Sequence, residues 1–319
     1  MSAQQYALVL LPKFSGSVSM TFSCLILYTV VNKIRRGSSQ VYDRLIMGMS
    51  ITDLLGSFWM FMGSWPIPPS SGVLWAVGNR ATCNLQGFFT QGATIASAIY
   101  NASLTFYFVL IILKQWKRPL LEKYEWCFHI MPWGWGLSTG FAGIFLKIYN
   151  SANLWCFIAE SPDEDRGHNA NLFRMLFFYG PLYLLVLIVT VNVLLVVFYV
   201  RKVVDRAILH SSTTSTGKNN SDSDDADVDE EDNDDEYQDD EFLNNVEESY
   251  SSTAQDESGR VRSPLTYDCR RTDRGTRNRY ARWRKKIAHQ NFRYAMAFYW
   301  TWLPISVSNR ITNFRLSFF

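Results

Sequence analysis

LFRMLFFYGPLYLLVLIVTVNVLLVVFYV, Leu172 to Val200, carries a single charged residue, Arg174, in 29 positions. A helix needs about 20 residues, at about 1.5 Å each, to cover the roughly 30 Å of a bilayer core. This run is long enough. Five more apolar runs of comparable length accompany it: Phe14 to Val31, Leu45 to Trp65, one from near Cys83 to Leu113, Trp126 to Leu146, and one from about Ala288 to Val307. The third and sixth carry polar residues, Gln86, Gln91 and Asn101 in one and Arg293 at the mouth of the other. Polar atoms inside a span must face protein or trapped water, so these two are expected inside a helical bundle.

The formal charge of +2 conceals two opposed compositions. The segment Arg201 to Ala288 holds 15 basic and 21 acidic residues, and the rest of the chain 16 basic and 8 acidic. Within it, Ser221 to Glu241 has 14 acidic residues in 21. Dense like charge with little apolar content predicts a disordered connection. The expected organisation is therefore five spans in residues 1–200, an acidic-then-basic loop over 201–287, a sixth span over 288–307 and a short remnant over 308–319.

Basic residues near span ends favour the cytoplasm. Lys33, Arg35, Arg36 and Arg44 follow span 1, Lys114, Lys117, Arg118 and Lys123 follow span 3, and Arg201, Lys202 and Arg206 follow span 5. The alternate connections are poorer or balanced by acids. The amino terminus is thus expected outside and the acidic loop inside. A cleaved leader is the competing reading of the first 30 residues, but no basic leading region and no small-residue cleavage site precede Lys33. Topology also sorts the five cysteines. Cys24, Cys127 and Cys269 fall within spans or in the cytosolic loop, whereas Cys83 and Cys156 fall outside, where a disulfide contributing about 2–4 kcal/mol is expected. Two free thiols are the alternative.

Taken with the long third inner loop, this layout resembles a G-protein-coupled receptor over nearly the whole chain except the insert. Ser50-Ile-Thr-Asp53-Leu-Leu is similar to the helix-2 motif of rhodopsin-like and cyclic-AMP-receptor-like receptors. The resemblance gives Asp53 a switching role; a protonated carboxyl bonded to neighbouring helices is the alternative. Leu74-Trp75-Ala-Val-Gly78 resembles the outer-loop turn that packs beside the disulfide, although a tryptophan lodged among headgroups would look the same. Phe178-Tyr-Gly-Pro181 resembles the proline motif of helix 5, and Phe298-Tyr-Trp-Thr-Trp302-Leu-Pro304 that of helix 6. The resemblance implies that Pro181, Phe298, Trp302 and Pro304 take part in activation.

Two departures qualify it. Where rhodopsin-like receptors carry an acidic-Arg-Tyr lock, this chain has Tyr107-Phe108-Val109. The small and aromatic residues from Ala102 to Phe108 look instead like cyclic-AMP-receptor-like (class E) or secretin/adhesion-like receptors, with the first branch favoured. After Pro304 only 15 residues remain, too few for a seventh span, and no N-P-x-x-Y occurs. The expected fold is accordingly an all-α, receptor-like bundle with six spans visible and the seventh absent or truncated.

By resemblance, an extracellular ligand would enter among helices 3, 5 and 6, with Thr90, Gln91, Thr94, Phe178 and Trp302 as candidate contacts. Interhelical hydrogen bonds are an equal claim on the polar three. A cyclic nucleotide would want a cation in the pocket, and only Arg80, Arg166 and Arg174 lie near, in loop-like positions. The basic run Arg277, Arg279, Arg282, Arg284, Lys285 and Lys286 could receive a heterotrimeric G protein or anionic lipid. No cofactor, metal or nucleic acid is expected.

Other classes fit less well. A six-span transporter or channel subunit would show an internal repeat or a sensor helix. An intramembrane enzyme would need facing catalytic groups, yet His129, His168, His210 and His289 sit at helix ends or in loops. A non-signalling receptor fragment is the remaining alternative. The expected location is multi-pass, in the plasma membrane.

Overall fold

A computed structural model describes residues 3–152, 154–160 and 166–215, with isolated positions 292, 293 and 296. Apart from those three positions, the sixth apolar run lies outside the described residues, as do the acidic stretch and the basic run. The chain forms two units, Met1–Val203 with Arg284–Phe319, and Val204–Trp283. Of the second unit, only helical backbone as far as Ser215 is described.

Helices α1 (Ala3–Arg35), α2 (Val41–Met62), α3 (Arg80–Ile112) and α4 (Arg118–Phe145) follow one another, with a longer connection between α2 and α3 that holds a 3-10 turn at Pro69–Ser71. A two-stranded antiparallel ribbon, β1 (Tyr149–Ser151) and β2 (Cys156–Ile158), pairs Ser151 with Cys156. After it come α5 (Ala170–Arg174), a π-helical turn (Met175–Tyr179) and α6 (Gly180–Ser215). Among the described residues, four segments are long and apolar enough to cross a membrane: Val9–Arg35, Val41–Met62, Arg80–Ile112 and Ala170–Lys202. The helix α4 has ample length, about 42 Å for its 28 residues. It falls short of the same apolarity because Trp, Gly and His replace aliphatic residues along it.

The apolar run Leu172 to Val200 has the pattern of a bilayer helix. Leu182, Leu185, Val189, Val193, Val196 and Val200 are buried at spacings of three and four, one stripe facing protein. On the other side Leu184, Leu187, Val191, Leu194 and Phe198 are exposed. A helix apolar on both faces is stable only where its outer face also meets hydrocarbon. This is a multi-pass membrane protein whose described part is built mainly of helices.

The helix α3 is the centre. It packs on α2, α4 and the ribbon, and its Ile95, Ala98, Ile99 and Ala102 form one core with Phe178, Tyr179, Leu182 and Leu185. Its first turn is closed by a capping box, in which Asn79 Oδ1 accepts from Thr82 N at 2.9 Å and Thr82 Oγ1 accepts from Asn79 N at 2.8 Å. Cys83, one turn in, is bonded to Cys156 with Cα atoms 5.3 Å apart.

At this disulfide end the turn before α3 brings two backbones together. A β-carbon on Gly78 would lie 2.2 Å from the Pro66 carbonyl oxygen, so the position admits only glycine. The residues packed on the disulfide are Ile67, Val73 and Ala76. Ala76 belongs to the Leu74–Gly78 turn, whereas Trp75 of the same turn, at φ 63°, is 42% exposed, as a tryptophan lodged among headgroups would be. Tyr149 fills a slot between α3 and α4 where Gly87 and Gly143 leave no β-carbons in its way. Its hydroxyl donates to Gly140 O at 3.0 Å. Burial pushes its pKa upward, so it stays a donor.

Candidate functional site

Below the disulfide, Gln86 is fully buried and uses its whole amide group. Nε2 donates to Trp59 O and Gly63 O, both at 2.9 Å, and Oε1 accepts from Cys156 N at 2.8 Å. One side chain therefore joins the end of α2, the axis of α3 and strand β2. Lys13 of α1 finishes the same corner: Nζ donates to Phe61 O and Met62 O at 3.2 and 3.1 Å and sits 3.5 Å from the Trp65 ring centroid. A cation on the last carbonyls of a helix complements its dipole.

One turn deeper lie the candidate ligand residues. Thr90 and Gln91 are buried, at 3% and 0% exposure, and their Oγ1 and Oε1 have no partner among the described residues. Gln91 Nε2 donates to Phe177 O at 3.0 Å. The reason lies in the sequence four residues on. Pro181 has no N–H for the carbonyl one turn back, which is that of Phe177. The π-helical turn ends there too, Gly180 N–H reaching Met175 O. The expected proline of helix 5 thus opens a backbone acceptor that α3 fills. Phe178 stands beside it, its ring 5.1 Å from that of Phe157 on β2 and nearly perpendicular to it.

The structure separates Thr94 from this group. Its Oγ1 lies 3.9 Å from where a β-carbon on Gly56 would sit, on the α2 side of α3. On that side Ser97 Oγ donates to Asp53 Oδ1, a contact between helices that matches the hydrogen-bonded reading of Asp53. Deeper again, Asn192 Nδ2 of α6 donates to Thr105 Oγ1 at 3.2 Å, and Asn101 Oδ1 is buried without a partner among the described residues. So Gln91, Phe178 and Pro181 come together at the α3–α6 contact, while Thr94 and Asp53 belong to the α2–α3 contact, and Thr90 is buried on α3 next in sequence to Gln91. Phe298, Trp302, Pro304 and the basic run Arg277, Arg279, Arg282, Arg284, Lys285 and Lys286 lie outside the described residues.

The cations near the disulfide end are engaged. Arg166 Nη2 donates to Asn84 Oδ1 at 2.5 Å and to Tyr149 O at 3.2 Å, and Arg174 bonds Asn171. At the far end of α3, Tyr107 and Phe108 are buried, and both rings meet Tyr42 of α2 at 6.3 and 5.9 Å. Aromatic contact occupies the place where a rhodopsin-like lock arginine would stand. The charges there belong to other helices: Arg44 Nε and Nη2 reach Glu125 Oε1 and Oε2 at 2.5 and 2.6 Å, and His129 joins Glu125 to Tyr100, whose hydroxyl is 2.9 Å from His129 Nδ1.

The sequence resembles the rat, mouse and human proteins named "G-protein coupled receptor 157" (Rattus norvegicus, Mus musculus, Homo sapiens), each at 28% identity, over 128, 128 and 120 residues. The chain is related in sequence to G-protein-coupled receptors. The matched region is 39% of this chain and 36% of the rat receptor, so the chain spans about a third of the curated relatives it matches. No protein-family model matches it. Among solved structures, squid rhodopsin superposes with a TM-score of 0.48 at 16% identity, covering 67% of this chain and 60% of that one.

The Gln91 bond admits a direct check. With Pro181→Ala, the restored N–H can satisfy Phe177 O, so Gln91→Leu should cost less in that background than in the native one. We expect a coupling of about 1 kcal/mol in a double-mutant cycle on thermal stability in detergent. Additive losses would show that Gln91 does not serve the carbonyl that the proline leaves open.

Proposed function

We propose that this chain is a G-protein-coupled receptor of the cyclic-AMP-receptor-like branch, in the plasma membrane with its amino terminus outside. An extracellular ligand binds beside α3 at Thr90, Gln91 and Phe178, with Trp302 completing the wall. The observation that carries this reading is the pair of buried acceptors, Thr90 Oγ1 and Gln91 Oε1, left open among the described residues on the central helix of a chain related to such receptors. Buried polar groups left open in an apolar cleft suit a ligand that supplies hydrogen-bond donors. The aromatic end of α3 at Tyr107 and Phe108 supports the branch, since it offers no arginine for the rhodopsin-like lock.

Signalling then follows from a population shift: a ligand that binds one helix arrangement better than another opens a groove at the far end. Asp53, Pro181, Phe298, Trp302 and Pro304 would be the moving parts. The residues Arg277 to Lys286 would receive a heterotrimeric G protein, leading to a second messenger such as cyclic AMP. The acidic stretch Ser221 to Glu241 would compete for that basic run and hold basal output down.

The test is basal signalling in cells at matched surface expression, with an amino-terminal tag read on intact cells. The tag should be accessible, and deletion of residues 222–241 should raise the basal second messenger about two-fold or more. Trp302→Ala should lower it. An inaccessible tag would overturn the orientation. Output indistinguishable from vector for every variant would overturn the receptor reading.

A further inference from the structure

We propose that the corner between α3 and α4 is a binding site for an anionic phospholipid of the surrounding bilayer. After α3 ends, the chain folds back over it: Trp116 N–H donates to Leu110 O at 3.1 Å, and Gln115 takes a positive φ of 53° to make the reversal. The fold-back leaves an open groove of about 510 Å3, lined by Gln115, Trp116, Lys117, Pro119, Leu120 and Lys123. Its floor is apolar, made by Trp116, Pro119 and Leu120. Its charged edges are the exposed Lys117 and Lys123, and neither has an acidic partner within ion-pair distance among the described residues.

Charge and position together select the occupant. From Lys114 to Lys123 the chain has four basic residues against one acidic, Glu122, and the first turn of α4 has no acid. An anionic headgroup is therefore favoured over a zwitterionic one. Away from the groove the same face of α4 becomes an apolar strip: Leu120 is followed by Ile130, Met131 and Phe141, exposed at 38, 59, 63 and 50%. Acyl chains lie along that strip while the phosphate meets the two ammonium groups. Trp116 and Tyr124, with rings 5.7 Å apart, are the amphipathic residues expected at the boundary between headgroup and hydrocarbon. A purely polar anion would leave this strip uncovered.

The inference rests on the membrane reading and not on G-protein coupling, so its failure would leave the receptor proposal standing. The experiment places the full chain in nanodiscs of phosphatidylcholine containing brominated phosphatidylserine, or brominated phosphatidylcholine at the same mole fraction. Fluorescence of the wild type minus that of Trp116→Phe isolates the local signal from the other tryptophans and from lipid held elsewhere. We expect stronger quenching of the Trp116 component by the brominated anionic lipid. The excess should vanish in the Lys117→Gln/Lys123→Gln double variant and persist in Lys147→Gln, a control at the disulfide end. Each lysine near the surface should contribute about five-fold in local enrichment. Equal quenching by the two lipids would overturn the proposal. So would an excess that survives the double variant, and so would a Trp116 component that neither lipid quenches.

Discussion

Gln86→Leu is expected to destabilise the folded chain by about 3–5 kcal/mol, the largest loss from any single polar substitution in the described bundle. The change keeps the volume but removes all three bonds of the amide group. It leaves Trp59 O, Gly63 O and Cys156 N buried and open, and each such group costs about 1–3 kcal/mol, softened by partial relaxation. Gln86→Asn should recover little, because a side chain one methylene shorter cannot reach α2 and β2 together. The measurement is thermal unfolding in detergent under non-reducing conditions, with Cys156→Ala as a second background. Because Gln86 holds the backbone of Cys156, the two losses should be less than additive. A Gln86→Leu chain as stable as wild type would mean that water or rearranged backbone satisfies those groups.

Glu125→Ala should cost about 2–3 kcal/mol at the opposite end. Arg44 and Glu125 form a two-pronged pair in which the side chains keep 28 and 15% exposure. Breaking a fully buried pair costs about 3–5 kcal/mol, and an exposed one under about 1; this pair lies between. Two controls separate charge from packing. Glu125→Gln should lose most of the same energy while keeping the shape, and Arg44→Glu combined with Glu125→Arg should regain part of it. Thermal stability is again the readout, and raised salt should shrink the wild-type advantage. If the exchanged pair is no better than the worse single variant, the contact acts through local packing and not through opposite charge.

How far the sequence foretold these contacts depends on the chemistry of each residue. The apolar runs announce spans because hydrocarbon demands length and apolarity, which are local properties. Cys83 and Cys156 were legible for a related reason, since the charge pattern set both apart from the cysteines in the spans and in the basic connections. The ends of the helices were less so: α1 begins at Ala3 and not near Phe14, and α4 at Arg118 and not at Trp126, because a helix runs past its apolar core without an apolar signal. Gln86 and Tyr149 were illegible as anchors. Their partners are backbone groups and glycine gaps up to 70 residues away, and nothing in the spacing of Gln86 distinguishes it from Gln91 or Asn101. The Arg44–Glu125 pair was hidden in the same way, each residue reading as one more charge near a span end. Pro181 was the reverse case. Its motif was visible, but the carbonyl it leaves open mattered more than any kink.

That open carbonyl also fixes a height. Two apolar helices packed side by side are free to slide, since one leucine is much like the next. One turn along α6, about 5.4 Å away, the carbonyls already serve N–H groups of the helix itself and are poorer acceptors for Gln91. Phe177 O is therefore an index mark, set by a proline and read by an amide on a different helix. Inserting or deleting a residue between Ala170 and Phe177 would leave that mark in place, because it is counted back from Pro181 and not forward from the ribbon. A residue inserted between Phe177 and Pro181 would move it, and α3 and α6 would lose their common zero.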